Sequence, residues 1–322
     1  MQWKSKKGDK RRMQQLIIQK PPFLRSGQTV SSMMKDMLLA LALLLPLPTV
    51  HYGTQVLLIA FVSVASCFVC EVAACMVAKR QVNISELSSA VTGLIIAMLM
   101  PPNAPLWLPM AAAAFAVLVA RVPFGFTGNN PFNPAAAGVA FVTVFWPQKV
   151  FSYLEQSASS VLKEGLKPFQ IPSEMLWGNT SGAIGTTAVL VIAACAVYLI
   201  VKRTVNWRIT VCFLAAAGLM SLLFPRIMVT PLTSLKYEML SGSLLFCAVF
   251  LITDPVTSPR TQVGKAIYGA VAGVLIMLMR RYGAFEQAAC FAVLLMNAIS
   301  PVIDSFVIAI LTRREARRSE QQ

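Results

Sequence analysis

A single histidine, His51, stands in 322 residues, and only 13 residues are acidic. The histidine falls at an outside span end, where it cannot serve a Ser/His/Asp triad inside the membrane, and it offers no imidazole constellation, so hydrolytic and zinc chemistry are disfavoured. The chain also lacks a P-loop and a nucleotide-binding glycine fingerprint after a strand, so nothing suggests energy drawn from ATP. Cysteine is present but scattered: Cys67, Cys70, Cys75, Cys195, Cys212, Cys247 and Cys290 all fall in apolar runs, where they read as packing residues rather than a disulfide framework. Cys67-x-x-Cys70 has no second cysteine pair to complete a metal or redox site. Charge is scarce as well, at 13% of residues against 57% hydrophobic, with a mean hydropathy of +0.67. No soluble core hides that much apolar surface, and the composition is that of a polytopic membrane protein.

The expected architecture is all-α, with about ten transmembrane helices near 34–50, 54–78, 87–101, 105–120, 134–147, 182–201, 209–224, 237–252, 265–280 and 285–311. No cleavable signal peptide is evident, so the first of these is expected to stay. Residues 1–33 form a basic tail suited to anionic lipid headgroups, residues 148–181 a long outside loop, and residues 313–322 a second basic tail. The net charge of +15 follows topology and gives no reason to expect nucleic acid. With a cytoplasmic N-terminus and ten spans, 21 of the 28 Lys and Arg residues lie inside, which places both termini in the cytoplasm of a bacterial inner membrane.

Three stretches are ill suited to a simple lipid-facing helix. The first, GNNPFNPAAAG at 128–138, carries Asn130, Phe132, Asn133 and Pro134; the second, TDPVTSP at 253–259, carries Thr253, Asp254 and Thr257; the third, NAISP at 297–301, begins with Asn297 and is expected to interrupt the last span. Backbone groups freed by such breaks survive at membrane depth only where protein or a polar cavity supplies partners, so the three are expected to line an internal site. Glu71, inside the second span, together with Asp254 and Asp304, are the candidate carboxylates for moving a proton or cation. Breaks fall at corresponding places in two sets of five spans, about 34–147 and 182–312, and an odd number of spans per set inverts one against the other. An inverted repeat with its site between the halves is the expectation.

Several of these segments, in this order, resemble the RnfD component of the Rnf electron-transport complex and its relative, the NqrB component of the sodium-pumping NADH:quinone reductase. They are 128–138, AVTGLIIA at 90–97 with Pro101-Pro102, FLITDPVT at 250–257, 264–272, AVLLMN at 292–297 with Pro301 and Asp304, and GNTSGAIG at 178–185. The resemblance covers nearly everything after residue 35. It implies a ten-helix membrane component that relays electrons through flavin, coupled to Na+ or H+ movement, beside other Rnf/Nqr-type subunits that include an extracytoplasmic flavoprotein. It also implies an FMN held through its phosphate by a threonine in the outside loop, and a riboflavin among the helices.

One departure stands out. Where that threonine motif is expected, before Val161, the chain reads LEQSASS at 154–160. Ser157 occupies the acceptor position by spacing, but the threonine and its preceding Gly-Ala are absent, which points to a relative without the covalent FMN. Outside the resemblance, a secondary transporter or channel for a small solute uses broken helices equally well, and a redox-silent assembly subunit is the third reading.

Overall fold

The computed structural model describes residues 29–79, 87–125, 128–153, 158–169, 171–178, 180–227, 230–283 and 288–319, among which every regular element is helical. Twelve helices carry the bundle: α1 (Val30–Leu43), α2 (Pro46–Tyr52), α3 (Gln55–Val77), α4 (Ser88–Met98), α5 (Trp107–Leu118), α6 (Pro134–Phe145), α7 (Val189–Val201), α8 (Trp207–Leu223), α9 (Pro231–Leu240), α10 (Leu244–Leu251), α11 (Gln262–Tyr282) and α12 (Ala289–Ser319). Their starts follow local chemistry. Thr29, Asn133, Asn206 and Thr261 each accept from a first-turn N–H and so cap α1, α6, α8 and α11.

Among the described residues, five stretches are long and apolar enough to cross a bilayer: Val30–Tyr52, Gln55–Val77, Trp107–Phe124, Gln262–Tyr282 and Ala289–Arg314. Helices α9 and α10 make a sixth if taken together, although they are bent by 63° at Ser241-Gly242-Ser243. Gly242 turns the chain there at φ +63°, a left-handed conformation that strains any residue with a Cβ. Helices α4, α6, α7 and α8 are apolar but fall below the usual crossing length. Large side chains such as Phe61, Val69, Val197 and Phe306 stand exposed around the bundle, as lipid-facing residues do. The chain is a multi-pass membrane protein.

Packing is organised around two pairs of long helices. In the N-terminal part α3 packs on α4 and α5, α5 on α6, and α1 on α4. In the C-terminal part α8 packs on α9 and α11, α11 on α12, and α7 on α10. The α8–α11 seam is the most extensive. Small residues let the backbones approach, and a Cβ on Gly269 would lie 2.5 Å from the Ile209 carbonyl oxygen.

Two expectations about helix ends are corrected. The sixth span was expected to start near 182, but α7 begins at Val189. The irregular segment before it is held by other work: the N–H groups of Ile184 and Gly185 donate to the carbonyls of Met100 and Met98, at 3.0 and 2.7 Å. These carbonyls close the C-terminal end of α4, where Pro101 and Pro102 supply no donors. The last span was expected to be discontinuous at 297–301, yet α12 runs through Pro301 without interruption. A proline inside a membrane helix is tolerated where the freed groups find substitutes, and here its ring is exposed on the outside of the bundle.

Candidate functional site

The breaks at 128–138 and 253–259 meet the buried Asn297 of the continuous α12. Asn133 is the hinge: its side-chain oxygen caps α6 through the N–H groups of Ala135 and Ala136 (3.0 and 3.2 Å), and its side-chain nitrogen donates to the Leu251 carbonyl at 3.2 Å, where α10 ends. The Asn133 backbone N–H donates in turn to the side-chain oxygen of Asn297, at 2.9 Å, once that amide is oriented to suit its neighbours. In this orientation the Asn297 nitrogen donates to Thr257 Oγ1 and the Val293 carbonyl, both at 3.2 Å, and lies 2.9 Å from the Tyr268 hydroxyl. Asn133, Thr257, Tyr268 and Asn297 are all buried. Asn133 thus satisfies the carbonyl at the end of α10, and Asn297 satisfies the Asn133 N–H, in the way an apolar surrounding requires.

Helix α10 has the same character. Its last five residues, Cys247–Leu251, form a π-helix, a geometry costly enough to be rare and concentrated at functional sites. Thr253 follows, buried, with its hydroxyl donating back to the Val249 carbonyl.

Beside this junction lies a cavity of about 60 Å³ whose lining includes Arg121, Asn130, Asn133, Pro134, Thr204 and Asp254. That volume holds a few water molecules. It does not fit a tricyclic isoalloxazine ring, since pockets for ligands of such size run to roughly 300 Å³ or more. Asp254 is half-buried and accepts from the Val256 N–H at 3.1 Å; Asn130 donates to the Phe132 carbonyl at 3.0 Å.

Arg121 joins the cavity to Glu71. Its guanidinium is almost wholly buried, 3.4 Å from the Glu71 carboxylate, and it donates to Ser89 Oγ at 2.9 Å. Ser89 completes the triangle by donating to the other Glu71 oxygen. The Glu71 side chain keeps 18% of its surface exposed, so the charge pair is not sealed. Arg121 therefore pairs with Glu71 and also lines, together with Asp254, one small cavity whose walls are mostly apolar. This arrangement can hold and release a proton or small cation.

The remaining expected residues separate from this centre. Asp304 faces the turn before α11, accepting from the N–H groups of Arg260 and Thr261 (2.7 and 3.1 Å) and the Thr261 hydroxyl (2.8 Å), and does not line the cavity. Phe132 points the other way, into an apolar cleft of about 680 Å³ walled also by Phe291, Leu294 and Ala298. Ser157 lies outside the described residues.

Sequence reasoning missed the partners. Arg121 counted only as a loop charge, and Ser89 not at all, although a carboxylate in an apolar span calls for a basic group at the end of a neighbouring one. A second charged centre was missed as well. Glu238 on α9 is buried between Arg226 and Arg280, paired with both; Arg280 also donates to the carbonyls of Glu238 (3.1 Å) and Ser241 (2.7 Å), and Arg226 to that of Arg280 (2.9 Å). Asp36 on α1, also unremarked, accepts from the Tyr198 hydroxyl at 3.1 Å and from Thr204, a cavity residue, at 3.2 Å.

The family described as NQR2, RnfD, RnfE matches residues 17–311 of the chain. Among individual proteins, the chain is similar to the D subunit of the proton-translocating ferredoxin:NAD(+) oxidoreductase complex of Clostridium ljungdahlii, at 29% identity over 309 residues, covering 90% of this chain and 93% of that protein. It is similar also to the D subunit of the ion-translocating oxidoreductase complex of Halorhodospira halophila, at 28% identity with 89% and 92% covered. A third is the D subunit of the Na(+)-translocating ferredoxin:NAD(+) oxidoreductase complex of Acetobacterium woodii, at 28% with 90% and 93% covered.

Proposed function

Because the chain belongs to the NQR2, RnfD, RnfE family, we propose that it is the RnfD-type membrane component of an Rnf-type ion-translocating oxidoreductase complex. In this reading it works beside the other subunits, including an extracytoplasmic flavoprotein, in the bacterial inner membrane with both termini cytoplasmic. Ten crossings follow if the four shorter apolar helices and the bent α9–α10 pair each traverse the bilayer alongside the five long ones. An inverted repeat fits the packing, in which α3, α4, α5 and α6 associate as α8, the α9–α10 pair, α11 and α12 do.

The observation that carries the coupling role is a small cavity between the breaks at 128–138 and 253–259, lined by Arg121 and Asp254 among mostly apolar side chains, with Glu71 held by the same Arg121. Glu71 and Asp254 are the proposed coupling groups; Asp304 has the geometry of a turn cap. Glu71 is paired with Arg121 in a largely apolar surrounding, and a cation or proton that reaches it competes with the guanidinium for the carboxylate. No electron-transfer step is routed through this cavity. Flavin carried by this chain, FMN or riboflavin, is proposed instead for the outside loop around Ser157 or the cleft beside Phe132.

The test is cation uptake by vesicles holding the purified complex, driven by its electron donor and acceptor. Glu71→Gln and Asp254→Asn are each expected to cut uptake by about tenfold or more, the usual scale for losing a positioned proton-transfer group, with the amount of assembled complex unchanged. Undiminished uptake in both variants sinks the coupling role. The flavin reading has its own measurement, the absorption spectrum of the purified chain with gel fluorescence before and after Ser157→Ala. A colourless polypeptide removes it.

A further inference from the structure

A larger cleft opens next to the small cavity, at the end of the bundle where α7 finishes and α8 and α11 begin. It encloses about 560 Å³, and its lining includes Arg203, Arg208 and Lys265 with Thr204, Asn206 and Gln262. Three cations face one space, and among the described residues none of the three is in an ion pair. The first turns of α8 and α11 contribute lining residues, so the positive ends of two helix dipoles reinforce the field. Such a space selects an anion, and its size admits a phosphate ester with its substituent.

The surroundings choose between phosphate sources. Trp207 is 53% exposed at the rim, where an indole marks the bilayer interface. From there the exposed side chains of Val201 and Val197 run along α7, Val211 along α8, and Val263 and Ile267 along α11. A free phosphate has no use for that apolar track, whereas an acyl chain does. Basic pockets between membrane helices at the interface are the recognised setting for anionic headgroups. We propose that this cleft binds the phosphate headgroup of an anionic phospholipid, with Arg203, Arg208 and Lys265 as its ligands and the strips on α7, α8 and α11 against its acyl chains. A bound lipid there bridges α7, α8 and α11 directly beside the breaks, since Thr204 and Pro255 line both spaces.

The full chain, in its complex, is purified in mild detergent and reconstituted in nanodiscs of phosphatidylcholine carrying a small fraction of phosphatidylglycerol or cardiolipin, and retained lipid is read by native mass spectrometry. Wild type is expected to retain the anionic lipid over phosphatidylcholine, and Arg203→Gln/Arg208→Gln/Lys265→Gln to retain it roughly a hundredfold more weakly, about fivefold for each charge removed. The control Arg313→Gln/Arg314→Gln, which removes two exposed cations of α12, should leave retention unchanged. If the triple variant does not fold, Lys265→Gln alone, checked by circular dichroism, is expected to show the fivefold step. Equal retention by wild type and triple variant, or equal loss in the control, overturns the proposal. Displacement of the lipid by millimolar inorganic phosphate assigns the cleft to a soluble phosphate and overturns the lipid. Exclusion of lipid from the cleft in the intact complex, with lipid bound to the separated chain, assigns it to an acidic partner surface and overturns it equally.

Discussion

Among the described residues stand two buried arginine–glutamate centres, and they are built differently. Glu238 is enclosed by Arg226 and Arg280, and both guanidiniums spend further N–H groups on backbone carbonyls, so carboxylate and cations are hidden together. Glu71 meets one guanidinium and one hydroxyl, keeps part of its surface open, and shares Arg121 with a cavity that Asp254 also lines. Arg121 and Arg280 follow or close comparable helices, α5 and α11, so similar local sequence yields a sealed pin in one place and an accessible charge in the other. Charge inside an apolar bundle therefore tells little until its remaining hydrogen bonds are counted. A cluster whose carboxylate and cations are hidden together fixes helices to one another, whereas one whose carboxylate stays partly exposed can be reached from outside.

The comparison breaks first at the sealed centre. Arg280→Ala leaves Glu238 with a buried charge half compensated and is expected to cost about 3–5 kcal/mol, seen as a large drop in melting temperature or as failure to accumulate in the membrane; a tolerated substitution means the centre is not sealed. At the open centre, Arg121→Gln is expected to cost less, roughly 1–3 kcal/mol, because the Glu71 side chain keeps 18% of its surface exposed, while cation uptake falls at least as far as in Glu71→Gln. A stability loss equal to that of Arg280→Ala erases the distinction. The junction of the breaks is sharpened by Asn297→Ala, which strands the Asn133 N–H and should lower stability by about 1–2 kcal/mol in thermal unfolding. The smallest effect is expected at Asp304, where Asp304→Ala removes a cap from the turn before α11, costs about 1 kcal/mol and leaves cation uptake at the wild-type level. A transport defect there returns Asp304 to the coupling groups.

Much of this was legible in the chain. The all-helical membrane class follows from apolar runs too long and too many for a soluble core, and the three breaks were visible as Asn, Pro and Gly set where lipid-facing helix forbids them. Their mutual satisfaction was not, because the Asn133 to Asn297 bond joins positions that no local pattern connects. Pro301 misled in the other direction. A proline in an apolar run reads as an interruption, but its exposed side faces outward and the helix tolerates it. Asp254 and Asp304 looked alike as carboxylates near a proline, and only packing sent one to the cavity and the other to a turn.

Composition and the order of apolar runs determined the solvent this protein lives in, its helical class and the segments that could not be plain helix, since transfer free energy and backbone hydrogen-bonding demand are properties of short stretches. Tertiary structure alone decided which charges became fixed and which stayed open, because the partners of a buried side chain come from helices far apart in sequence, and the space left between them is set by how closely those helices pack.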